Sequence, residues 1–163
     1  MTTKADFTDS EWEVLRRAPM VAGMAITLAD PGGPIEVVKE TSAVLKFATQ
    51  ESAARDDLVG EVARDVRELA QQRKSPLRDF KPPRGPMAGK AILDELANAN
   101  AIATAKAGPE EVEAFRTWLL ECAQRAADAA KEGGFMGFNA VRVSEGEERM
   151  LDELALTLGV KRG

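Results

Sequence analysis

Clusters of proline and glycine interrupt this chain at four places, and its regular elements must fit between them. The breaks are Asp30-Pro31-Gly32-Gly33-Pro34, the stretch Ser75 to Pro86 with its four prolines, Gly108-Pro109 and Gly133-Gly134. Proline lacks an amide donor and clashes with the preceding turn, and glycine loses the most backbone freedom on ordering. Such clusters end helices and strands alike.

Between the breaks, apolar residues recur with helical period. The first segment opens at Thr8-Asp9-Ser10-Glu11, the spacing of a capping box. Trp12, Leu15, Ala18, Ala22, Ala25 and Ala29 then share one face. Pro19 lies inside this pattern and is expected to kink or divide the helix. Gly23 leaves room for another helix to come close. The second segment starts at Pro34, with Glu36 near the positive end of the helix dipole. Ile35, Val38, Ser42, Leu45 and Thr49 follow one face, which Val37, Val44, Phe47 and Ala48 widen. The third runs from Ser52 to Arg73, with a narrow stripe of Leu58, Val62, Val66 and Leu69 and dense mixed charge outside it.

The second half repeats this style. A helix over Met87 to Ala107 is expected to bury Ala88, Ala91, Ile92, Leu96, Ala99 and Ile102. Another opens at Pro109 and carries the stripe Val112, Phe115, Leu119, Cys122, Ala126 and Ala129, which makes Cys122 a buried, inert thiol. Ser144-Glu145-Gly146-Glu147 is a second capping box, followed by Met150, Leu151, Leu154 and Leu158, with Gly159 as the stop. Only Ala140 to Val143 reads as a candidate strand. The pattern predicts an all-α chain, a single helical bundle of about six main helices. Its halves, 8–74 and 87–160, are joined by the Pro-rich linker 75–86.

Composition narrows the function classes. Histidine is absent, which removes the usual general base and transition-metal ligand. A single cysteine allows no intrachain disulfide and fits a reducing, cytoplasmic setting. The net charge of −5 argues against nucleic acid as a partner. The uncharged run Ala18 to Ala29 is shorter than the roughly 20 residues of a membrane span, and the acids before it do not suit an export signal. A buried helix is the expectation. Gly133-Gly134-Phe135-Met136-Gly137 lacks the lysine and the preceding strand of a phosphate loop. With no nucleophile elbow or singled-out acid–base pair, the sequence leans away from an enzyme.

The halves also look alike. Each has a long amphipathic helix, a Gly-Gly turn and a helix carrying acids, and Glu11 and Arg16 recur as Glu111 and Arg116. Ala29-Asp30-Pro31-Gly32 with Glu40 forms one acidic turn and following helix. Ala130-Lys131-Glu132-Gly133, then Val143-Ser144-Glu145 with Glu148, Leu151, Leu154 and Leu158-Gly159, forms the other. In these features the chain resembles the TerB-like proteins of the tellurite-resistance family. The stretch from Glu132 to Glu145 is similar to uncharacterised small bacterial proteins. Here Asp30 precedes proline rather than glycine, Glu132 stands where aspartate is usual, and Phe135 to Val143 is an insertion. The resemblance implies a helical fold, a stress-related setting and a divalent-cation site. Asp30, Glu36 and Glu40 would form one cluster and Asp128, Glu132, Glu147 and Glu148 the other. Such hard oxygen ligands suit calcium, magnesium or manganese.

Two functional readings follow. One is a non-enzymatic binding or scaffold protein. Its protein partner would meet Phe80 of the linker and Phe135, Met136 and Phe138 of the glycine-rich loop, large apolar groups on irregular segments. The linker's Arg78, Lys81 and Arg84, with Arg73 and Lys74 before them, add a basic island in an acidic chain. The other reading is the divalent-cation site. A homo-oligomer is compatible with both.

Overall fold

Six α-helices account for most of the described chain: α1 (Asp9–Ala29), α2 (Pro34–Lys46), α3 (Leu58–Gln71), α4 (Ala88–Lys106), α5 (Pro109–Glu132) and α6 (Glu145–Leu158). The computed structural model describes residues 2–29, 34–77, 80–132 and 143–162, with backbone only for 34–36 and 131–132. No strand occurs among the described residues. Most of the Ala140 to Val143 stretch lies outside them.

The central element is α1, which packs against α2, α3, α4, α5 and α6. Its burial extends well beyond one stripe, to Val14, Leu15, Ala18, Met20, Val21, Ala22, Ala25 and Ile26. The uncharged run is therefore a core helix, and no described helix is long and apolar enough to cross a membrane. Of the kink or division expected at Pro19, the division does not occur, and α1 continues through it as one helix. An interior proline costs about 3 kcal/mol. The packing around Pro19, itself buried, offsets that cost. Two polar residues enter this core in company: the Trp12 indole donates to Asp65 at 2.7 Å and Arg16 does so at 3.3 Å.

Two other expectations are corrected. The predicted third helix does not begin at Ser52. Instead α2 widens into a π-helical turn over Phe47–Glu51, and a non-helical turn separates it from α3. The Ser52 hydroxyl donates to the Phe47 carbonyl at 3.0 Å and accepts from the Trp118 indole at 2.8 Å, closing the wide turn against α5. Asp57 then caps α3 by accepting from the Gly60 amide at 3.1 Å. The second correction is the face of α2. Glu40, Val44, Phe47 and Ala48 point inward, whereas Val38 and Ser42 face solvent.

Elsewhere the stripes read from sequence are largely the buried ones: Leu58, Val62, Val66 and Leu69 on α3, and Leu151, Leu154 and Leu158 on α6, where Met150 is only partly buried. On α4, Ala103 is buried while Ala91 and Ile102 are only partly so. Both capping boxes form. Gly159 ends α6 in the left-handed conformation. Cys122 is fully buried, and desolvation drives its thiol pKa far upward.

Candidate functional site

Gly23 determines how α1 and α2 meet. A Cβ at this position would lie 2.8 Å from a Val44 methyl, so the absent side chain is what lets Val44 dock on α1. Beside this contact lies a cleft of about 200 Å³. Met20, Met24 and Thr27 of α1 line one wall, and Val37, Thr41 and Val44 of α2 the other. Leu77 of the linker completes the lining. The polar anchor here is Thr27, whose hydroxyl donates to the buried Glu40 carboxylate.

On the α2 side the exposed lining residues are Val37 and Thr41. Val37 is 37% exposed, and its neighbour Val38 is 63% exposed. Leu28, next to Thr27, is 39% exposed. Among the described residues, these three are among the few large aliphatic ones left in solvent. Chemically the lining offers no titratable group, so it suits apolar contact rather than acid–base work. Methionine side chains at the cleft are flexible and polarisable, which allows a wall to adapt to what enters.

Two described residues of the linker contact the bundle. Leu77 packs on the core, and Phe80 lies half-buried with the Arg17 guanidinium 5.5 Å from its ring centre. Arg17 in turn bonds Glu95 of α4 at 2.7 Å. Lys74 and Lys81, before and after these two apolar residues, are exposed.

A wider, more open depression of about 710 Å³ lies where the turn before α3 meets the start of α5. Asp56, Asp57, Glu110 and Glu111 line it. Two of these carboxylates already serve the fold. Asp57 caps α3 and pairs with Arg55 at 2.7 Å. Glu111 accepts from the Leu58 amide at 3.0 Å and from the Thr2 hydroxyl at 2.5 Å.

The carboxylates proposed as metal ligands are placed as follows. Glu40 is buried with Thr27. Asp128 accepts from the Gln124 amide at 3.1 Å. Glu148 pairs with Arg162 at 2.7 Å. Asp30 and the side chains of Glu36 and Glu132 lie outside the described residues. Among the described residues, no three acids or thiols form a metal-ligating group. Of the proposed partner contacts, Phe80 is described above, and Phe135, Met136 and Phe138 lie outside the described residues.

The cleft itself was not found by sequence reasoning. Met20 and Met24, one turn apart and flanking Gly23, were its available signal. An all-helical bundle with an apolar interhelical cleft is the class of protein that fold and site define. Comparison with protein-family models, curated proteins and solved structures finds no match in any of the three.

Proposed function

We propose that this chain is a non-enzymatic helical binding module whose contact face is the α1–α2 cleft. The observation that carries the reading is an apolar cleft whose lining includes the part-exposed Val37, with the exposed Val38 and Leu28 next in sequence to the lining residues Val37 and Thr27. A fully exposed aliphatic side chain forgoes about 1.5–3 kcal/mol that burial would return, and Leu28, Val37 and Val38, each part-covered already, forgo a fraction of that. A partner helix that inserts an aliphatic side chain between Met24 and Val37 recovers part of it, the helix-in-groove mode of recognition. Phe80 then serves to hold the linker in place, so that Leu77 keeps its position in the cleft wall.

The test follows the methionine methyl groups by NMR. The probe is a synthetic amphipathic helix of about four turns, with leucine anchors and glutamine flanks. The Met20 and Met24 resonances should move on titration, while that of Met87, exposed at the start of α4, stays put. Replacing Val37 and Val38 together by aspartate should weaken binding by about tenfold or more, with the melting temperature little changed. Shifts confined to Met87 or Met150, or no shifts at all, would rule the cleft out as the contact face.

A further inference from the structure

The linker between α3 and α4 docks on the bundle through side chains rather than through polar bonds. Leu77 packs on the core in the wall of the cleft, and Phe80 lies half-buried beside Arg17. From Ser75 to Arg84, the described residues make only local hydrogen bonds. The Leu77 amide donates to the Ser75 hydroxyl at 3.2 Å, and the Phe80 amide to the Leu77 carbonyl at 2.9 Å. None of these described residues forms an ion pair. Pro76, Pro82 and Pro83 have no amide to donate.

Both ends of the linker turn through left-handed backbone. Arg73, just past α3, has φ 57°, and Gly85, before α4, has φ 85°. The one other described residue with positive φ, Gly159, ends α6. A side chain is strained in this region, so an arginine there marks backbone held by its surroundings. A Cβ at Gly85 would meet nothing within 4 Å, so that turn is not packed in. Hinges are a few such residues at the ends of elements, where a change of φ and ψ leaves the helices intact. The cleft itself is small: ligand pockets span about 300–1,000 Å³, and this one holds about 200 Å³. Its helical walls meet where Val44 docks on Gly23, and of its described lining residues Leu77 is the one that no helix carries.

We infer that Leu77 is a resident plug of the α1–α2 cleft, and that the linker is a strap that pivots at Arg73 and Gly85 to withdraw it when a partner helix enters. This rests on the binding-module reading above and names how that site is regulated. Withdrawal breaks no polar bond between the described linker and the bundle. It gives up the apolar contacts of Leu77 and the contact of Phe80 with Arg17, which stays paired with Glu95. The entering aliphatic side chain replaces the contacts of Leu77. A site that binds only when open has its affinity reduced by the open fraction, so whatever loosens the strap tightens binding. Phe80 is not among the described lining residues and acts on the cleft through the strap. The sign discriminates: were Leu77 a fixed wall, trimming it would remove contacts and weaken binding.

The experiment measures binding of the leucine-anchored, glutamine-flanked helix, made fluorescent, by anisotropy to the unmodified chain, Leu77→Ala and Phe80→Ala. Both variants should bind about fivefold tighter than the unmodified chain. Phe80→Leu, which keeps apolar bulk and loses the ring beside Arg17, should tighten binding by a smaller factor and serves if the alanine variant does not fold. Limited trypsin digestion reads the strap directly, because the peptide itself has no lysine or arginine. Saturating peptide should speed cleavage after the exposed Arg84 of the unmodified chain, and Phe80→Ala should be cut faster without peptide. If the folded variants bind no tighter than the unmodified chain, or if peptide slows cleavage after Arg84, Leu77 is a fixed wall. The strap is then wrong and the cleft reading stands. If the peptide binds none of these proteins, both fall.

Discussion

Glu11 joins local and distant structure at a single carboxylate. Its Oε1 accepts from the Thr8 amide at 2.8 Å, completing the capping box, and from the Lys106 ammonium of α4 at 2.6 Å. Lys106 is the first cause of its lowered pKa, and the Thr8 amide the second. A carboxylate whose native pKa is depressed contributes stability that is present above its unfolded value. That contribution is lost as pH falls through the native one. Glutamine also suits the third position of a capping box, so Glu11→Gln chiefly removes the charge toward Lys106. The melting temperature of Glu11→Gln should therefore lie below that of the unmodified chain from pH 7 to about pH 5, with the gap closing by about pH 3. A gap of constant size across that range would show that Lys106 contributes nothing through charge. Half of this arrangement was legible in sequence, because Thr8 and Glu11 are neighbours. Lys106 was not, since nothing in a spacing rule connects residues on different helices. The same holds for Glu40, whose hydrogen bond to Thr27 depends on how α2 settles on α1.

At the scale of the element, α3 and α2 show why one helix was read correctly and the other rotated. Outside its stripe of Leu58, Val62, Val66 and Leu69, α3 is dense in charge, so only one face can turn inward. In α2, aliphatic residues stand on more than one side, with Val37 and Val44 lining the cleft and Val38 turned to solvent, and periodicity alone offers two solutions. Gly23 decides between them by admitting Val44. The start of α3 hides a similar tertiary decision. By propensity, Gly60→Ala should stabilise a helix by about 1 kcal/mol. Here a Cβ at Gly60 would stand 1.8 Å from the Arg55 carbonyl oxygen, and Arg64 fixes that turn by donating to the Ala53 and Arg55 carbonyls, each at 2.9 Å. Backbone cannot yield as a flexible side chain would. Gly60→Ala should thus lower stability by about 3 kcal/mol in urea denaturation. A stabilised variant would mean that the turn from Ser52 to Asp57 moves aside at little cost.

For the whole molecule, the halves suggested by sequence exchange partners rather than each closing on itself. From the first half, α1 packs against α4, α5 and α6 of the second as well as against α2 and α3, and α2 packs against α5. The Trp118 indole of α5 is satisfied by Ser52 across the same boundary. Cutting the chain at the linker would therefore leave Leu15, Ala18, Ala22 and Ile26 of α1 with much of their apolar cover gone, and α5 with Phe115 and Trp118 exposed. Helices of this length are marginal in water without such packing. Separate peptides covering residues 1–80 and 81–163 should each lose most of their helical circular dichroism and show no cooperative melt. Their equimolar mixture should regain more helix than the sum of the two, because the core that both lack forms only between them. Cooperative melting of either piece alone would show that the resemblance between halves reflects two independent folding units. The linker's place in this is to keep the halves together while carrying Leu77 to the cleft and Phe80 to Arg17. The candidate site therefore exists only when both halves are folded on each other, and loss of peptide binding in the isolated pieces should track loss of helix.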